Sequence, residues 1–242
     1  MRGEGARELT KLVIRFGLDT MVPEMKDKLI APKLSTLTTP RIPDISGERK
    51  QFLATFVLNF DLSLTISNKH RQLLFSIIRK AEDALEEYCR GAESLQQYVA
   101  SRRLDLRPYF CALRSFEHCL SHLYQAVCCM NGLSETWQGR KQFDRNDGSI
   151  LERVYLLHSE VKHMNERFVT GGAAAESSFV TLSRNRAEAN SIDAPNVPMW
   201  LTDDGMECGK AKITYTELAQ ELCELCSEAE KLATLDRNQG TG

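Results

Sequence analysis

Apolar residues recur along this chain at alternating spacings of three and four in four separate segments, and each row predicts one buried helical stripe. The first, over residues 70–100, carries Leu74, Ile78, Ala81, Leu85, Tyr88, Ala92, Leu95 and Val99. Residues 106–130 continue with Tyr109, Leu113, Phe116, Leu120, Leu123, Val127 and Met130. In the third segment, 148–168, the row is Ile150, Val154, Leu157, Val161, Met164 and Phe168; in the fourth, 216–235, it is Leu218, Leu222, Leu225, Ala229 and Leu232. Polar side chains fill the intervening positions. Helices of this kind cannot hide their stripes alone, so the pattern predicts an all-α, up-and-down helical bundle.

The remaining segments are less periodic. Residues 4–16 and 20–30 read as helix, and Pro32, Pro40 and Pro43 break the stretch that follows. Over 52–64, Phe52, Ala54, Phe56, Leu58, Phe60, Leu62 and Leu64 alternate as in a strand, while Leu53 and Val57 also suit a buried helix. That segment is left open between the two. Residues 170–198 hold Gly171, Gly172, Asn190, Pro195 and Pro198 with little apolar period, which predicts a long mobile loop. After it, Met199 to Glu207 predicts a small β-hairpin turning at Asp204-Gly205, and Thr214 or Thr216 is placed to cap the last helix. The expectation is one domain over residues 1–242, with core helices within 70–168 and 213–235.

At 242 residues and 42% apolar content, such a chain buries a core without help from disulfides or metal. Lysine and arginine number 31 against 33 acidic residues, so no global positive field draws nucleic acid or an anionic membrane, and any such contact must be local. The amino-terminal residues lack the apolar core of a signal peptide, and no apolar run is long enough to span a bilayer. A cytoplasmic protein without membrane contact is expected. On that footing the eight cysteines are read as reduced thiols, with Cys89, Cys111, Cys119, Cys128, Cys129, Cys223 and Cys226 on helices and Cys208 on a loop.

Candidate chemistry concentrates on the third helix. At about 100° per residue, Arg153, Glu160, His163 and Arg167 follow one flank of its stripe, and His158, Lys162 and Asn165 the other. Elsewhere the patterns are thinner. His118 and His122 form an i, i+4 pair without a third or fourth ligand, and Glu160-x-x-His163 is half of a carboxylate-bridged di-iron pattern without its second half. Cys223-x2-Cys226 sits among leucines and reads as core filling, so neither metal nor cofactor is expected. Glu217, Glu221, Glu224, Glu228 and Glu230 read as the solvated face of the last helix.

The run from Arg153 to His158 also has the Arg-x4-His spacing, and on a helix of an all-helical bundle this resembles the HEPN superfamily of prokaryotic defence, toxin and RNA-processing proteins. Leu157-His158-Ser159-Glu160-Val161-Lys162-His163 is similar to a stretch in HEPN-like bacterial proteins, and the resemblance covers about residues 70–168. It implies metal-independent RNA cleavage in a composite site made by a homodimer. Arg153 would then stabilise the phosphate, His158 would act as general acid or base, and Lys162, His163 and Arg167 would help to bind. The alternative is a catalytically silent helical interaction module whose flanks contact a protein partner.

Overall fold

The computed structural model describes residues 37–48, 50–59, 67–137, 144–170, 199–208 and 211–234, with the side chains of Asn59, 134–137 and 164–170 outside that set. The architecture is a helical bundle with a small antiparallel sheet ahead of the last helix. Its helices are α1 (Phe52–Asn59), α2 (Asn68–Ala100), α3 (Arg107–Trp137), α4 (Ile150–Thr170) and α5 (Tyr215–Ala233). Helices expected over 4–16 and 20–30 lie outside the described residues, as does the loop expected over 170–198 except for Thr170, which ends α4.

The apolar rows fold as their spacing dictates. Leu74, Ile78, Ala81, Leu85, Tyr88 and Leu95 on α2 are buried, and they meet Leu113, Phe116, Leu120 and Leu123 of α3. Full burial of one such leucine or phenylalanine contributes about 1.5–3 kcal/mol, so these stripes dominate the stability of the bundle. Ser67 caps α2 by accepting a hydrogen bond from His70 N, and the helix closes at Ser101 through its N–H to Gln97 O. Arg102 and Arg103 then take left-handed conformations (φ 54° and 63°), which turn the chain inside residues 101–106. So short a connection forces α3 back along α2. The antiparallel match is visible in successive pairs: Tyr98 packs edge-on to Tyr109 at 5.3 Å, Tyr88 to Phe116 at 5.9 Å, and Lys80 reaches His122 at 3.1 Å. Gly91 permits the close crossing, since a Cβ there would lie 3.1 Å from the Phe116 ring.

The segment left open is helical over α1. Phe52 and Phe56, one turn apart, point into the core, and Glu82 of α2 accepts the hydrogen bond of Leu53 N at 2.6 Å. That carboxylate satisfies a donor a helix start leaves free, a tertiary contact that the local alternation of apolar residues does not encode.

The expected hairpin is larger than the sequence indicates. β1 (Trp200–Leu201), β2 (Gly205–Cys208) and β3 (Ala211–Thr214) form an antiparallel sheet in the order 1-2-3, with Leu201 opposite Met206 and Met206 opposite Ile213. Residues Thr202 to Asp204 make the turn, and Gly205 already belongs to β2. Cys208, expected on a loop, is buried on β2. β3 runs straight into α5, where Thr214 and Glu217 form a reciprocal capping box.

A strap without helix or strand, residues 37–45, ties the sheet to the bundle. The Asp203 carboxylate accepts from Thr38 N (2.6 Å), Thr39 N (3.1 Å) and Thr38 Oγ1 (3.0 Å), and Asp203 O accepts from Arg41 N (2.7 Å). Further along, Tyr88 Oη donates to Pro43 O at 2.9 Å. No helix among the described residues is long and apolar enough to cross a membrane.

Candidate functional site

Helix α4 opens on a loop that its own glutamate organises. Glu152, buried, accepts from Gly148 N at 2.7 Å and from Asn146 N, while Ser149 Oγ accepts from Glu152 N at 3.1 Å. Asn146 and Gly148 both have positive φ, which asparagine and glycine tolerate best. Val154 and Leu157 then anchor the helix in the core, and this rotation decides where its two polar flanks face.

Arg153 turns towards the sheet and α5. Its Nη2 donates to Glu217 Oε1 at 2.7 Å, and its Nε is buried with no hydrogen-bond partner among the described residues. Glu217 is engaged on its other oxygen too, accepting from Thr214 N and Thr214 Oγ1 at 2.9 Å each. Burial pushes the Glu217 carboxyl up, but the hydrogen bonds from Thr214 and Arg153 prevail and hold it below its ordinary value. The arginine is thus fastened to the cap of α5.

His158 turns the other way, onto α3. Its ring stacks on Tyr124 at 4.7 Å and 27°, and Tyr124 also packs against Tyr155 at 5.7 Å. Arg145 lies over the Tyr155 ring, 5.5 Å from its centre. Burial, followed by the positive charge of Lys162, lowers the His158 pKa. Tyr124 is pushed up to about 12, first by its hydrogen bond with Cys128 and then by burial.

Arg153 and His158 therefore stand on different sides of α4, as the rotation of about 140° between them requires. One chain does not bring them together. Lys162 shares the His158 flank and is exposed, as is His163. Arg167 lies on α4 with its side chain outside the described residues. Of the paired histidines, His118 is exposed, whereas His122 is held between α2 and α3 by Lys80 (3.1 Å) and Asp83 (3.8 Å). Burial and then Lys80 lower the His122 pKa. Among the described residues no group of three or more histidine, cysteine or acidic side chains is placed to hold a metal ion. Cys226 is buried as a small apolar side chain, with Cys223 half-buried beside it, and burial pushes both thiols up.

A second site escaped the sequence. Helix α5 packs chiefly on α2, and its looser approach to α3 leaves a cleft of about 470 Å³. Its apolar lining comes from Leu123, Val127 and Met130 of α3, Leu151 of α4 and Leu225 of α5. Along the opposite wall stand Glu221, Glu224 and Glu228, with Lys231 bonded to Glu228 at 2.6 Å. The acidic row read as a solvated face is thus partly turned inward. Glu221 is half-buried and makes no hydrogen bond or ion pair among the described residues; burial, and then Glu224, push its carboxyl up to about 7. The only signal in the sequence was the position of Glu221 next to Leu222, at the edge of the apolar stripe.

No protein-family model, curated protein or solved structure matches the chain.

Proposed function

We propose that this chain is a non-catalytic helical interaction module that engages a protein partner. The observation carrying this reading is the Arg153–Glu217 pair at 2.7 Å, which commits the guanidinium to the start of α5. A phosphate-gripping arginine needs its fork free, because bidentate contact with phosphate oxygens uses two adjacent N–H groups. Cleavage by an HEPN-like dimer would require Arg153 to leave Glu217 and a second copy to supply the facing histidine. His158 stacks on Tyr124, on the other side of α4 from the arginine.

The test is incubation of the purified chain with structured and single-stranded RNA in EDTA, beside Arg153→Ala and His158→Ala variants of equal fold. The expected result is intact RNA in all samples. Cleavage by the wild type that both substitutions abolish would overturn the proposal in favour of a metal-independent endoribonuclease.

A further inference from the structure

The cleft between α3 and α5 combines two properties that seldom serve packing alone. Its depth is lined by aliphatic side chains, of which Met130 and Leu151 remain partly exposed, and its rim carries carboxylates. Glu221, Glu224 and Glu228 are spaced i, i+3 and i+7, so they follow one face of α5 for two turns, about 10 Å. Lys231 neutralises Glu228, and Gln220 Nε2 donates to Glu224 at 3.1 Å without cancelling its charge. Among the described residues the α3 and α4 lining brings no charge to Glu221, and the cation that lines the cleft, Lys231, is bonded to Glu228.

We infer that this cleft receives a lysine- or arginine-bearing segment of a partner protein, its aliphatic stems lying on Met130 and Leu151 and its cationic heads meeting Glu221 and Glu224. The inference rests on the interaction-module reading and gives that partner its chemistry. Long basic side chains match both halves of the site, since their methylene stems prefer an apolar surface while their heads stay at its polar edge. A compact metal ion matches neither the aliphatic lining nor the spread of the acids. A small monovalent amine would answer one carboxylate and leave the next one a turn away unanswered.

Binding should also depend on pH. Burial and Glu224 keep Glu221 partly protonated near neutrality, and the cation at the rim favours its ionised form. Facing Glu221 are Glu224, Glu228 and Lys231 from α5 itself and no charged group from α3 or α4. Affinity therefore rises from pH 6 to pH 8.

Fluorescence anisotropy with a labelled helical peptide of leucine and lysine, roughly 15 residues long, tests this on the full chain. The expected result is saturable binding that weakens about five-fold for each of Glu221→Gln and Glu224→Gln, the scale of one partly exposed ion pair. It should fall with added salt and be absent for the same peptide with glutamate in place of lysine. Glu86→Gln, an acid on α2 outside the cleft, should leave it unchanged, and Glu221→Lys should gain affinity for the glutamate peptide. Equal weakening by Glu86→Gln would show attraction by net charge only and overturn the site. Spermine displacing the peptide at a similar concentration would reassign the cleft to a small polycation. Lack of peptide binding with intact RNA in the cleavage assay removes this inference alone, whereas RNA cleavage removes the module reading itself.

Discussion

The ion pair between Arg153 and Glu217 can be measured as a coupling energy, and its size decides whether the arginine is structural. The two side chains are 35% and 28% exposed and meet at 2.7 Å. A hydrogen bond between charged groups contributes about 1.5–3 kcal/mol when well shielded, and an exposed ion pair about 0.2–1 kcal/mol. With about a third of each side chain in solvent, the coupling should be about 1 kcal/mol. Arg153→Ala removes that plus the burial of its partly covered stem, for about 1.5 kcal/mol in all. Glu217→Ala also dissolves the capping box, and should cost about 2 kcal/mol. The double variant should then cost about 2.5 kcal/mol, less than the sum, as a cycle through an interacting pair requires. Urea denaturation at pH 7, with unchanged slope across the four proteins, gives these values. Because Glu217 is held below its ordinary pKa, the coupling is complete above the unfolded value and disappears as pH falls through the folded one. A coupling under about 0.3 kcal/mol would refute the reasoning, since an arginine held so weakly would be free for phosphate.

Three further outcomes follow from the same geometry. Gly205→Ala would place a Cβ 2.1 Å from Ile213 O across the β2–β3 ladder, so the sheet must deform; a loss above about 2 kcal/mol is expected in chemical denaturation. Thr214→Ala removes the hydroxyl that accepts from Glu217 N at 3.1 Å, and should lower stability by about 1 kcal/mol with little change in the denaturant slope. Glu221 has a raised carboxyl, so its folded form holds the proton more tightly and its contribution falls as pH rises through the range that ends at about 7. Glu221→Gln should therefore leave the melting temperature unchanged at pH 4 and raise it at pH 8, by an effect on the order of 1 kcal/mol after discounting for solvent. An unchanged difference across that range would mean that the carboxylate is fully hydrated.

The bundle was legible because its information is local. Leu74, Ile78, Ala81 and Leu85 repeat the helical period within one segment, and every one of them is buried. Leu218, Leu222, Leu225 and Ala229 do the same on α5. The parts that were not legible depend on residues distant in the chain. α1 alternates like a strand, and part of what favours a helix is Glu82, 29 residues beyond Leu53. The four residues of β3 carry no period of their own and become a strand by pairing with β2. Arg153 could be assigned to a flank of α4 from its position, but Glu217, which occupies its guanidinium, lies 64 residues further on. Likewise, Glu221 belongs to an acidic face by helical spacing; only the gap between α3 and α5 turns it into the wall of a cleft.

The strap held by Asp203 has a consequence for synthesis. Thr38 precedes Asp203, its acceptor, by 165 residues, so it leaves the ribosome long before that acceptor exists. At about 5–20 residues per second, the delay is roughly 8–33 s. The hairpin of α2 and α3, whose contacts are comparatively local, closes well within that interval. Leu37, buried in the finished fold, must meanwhile stay uncovered or be held by other surfaces. Thr38 and Thr39 are thus among the last residues to be seated, and substitution of Asp203 should leave them open to proteases in the finished chain.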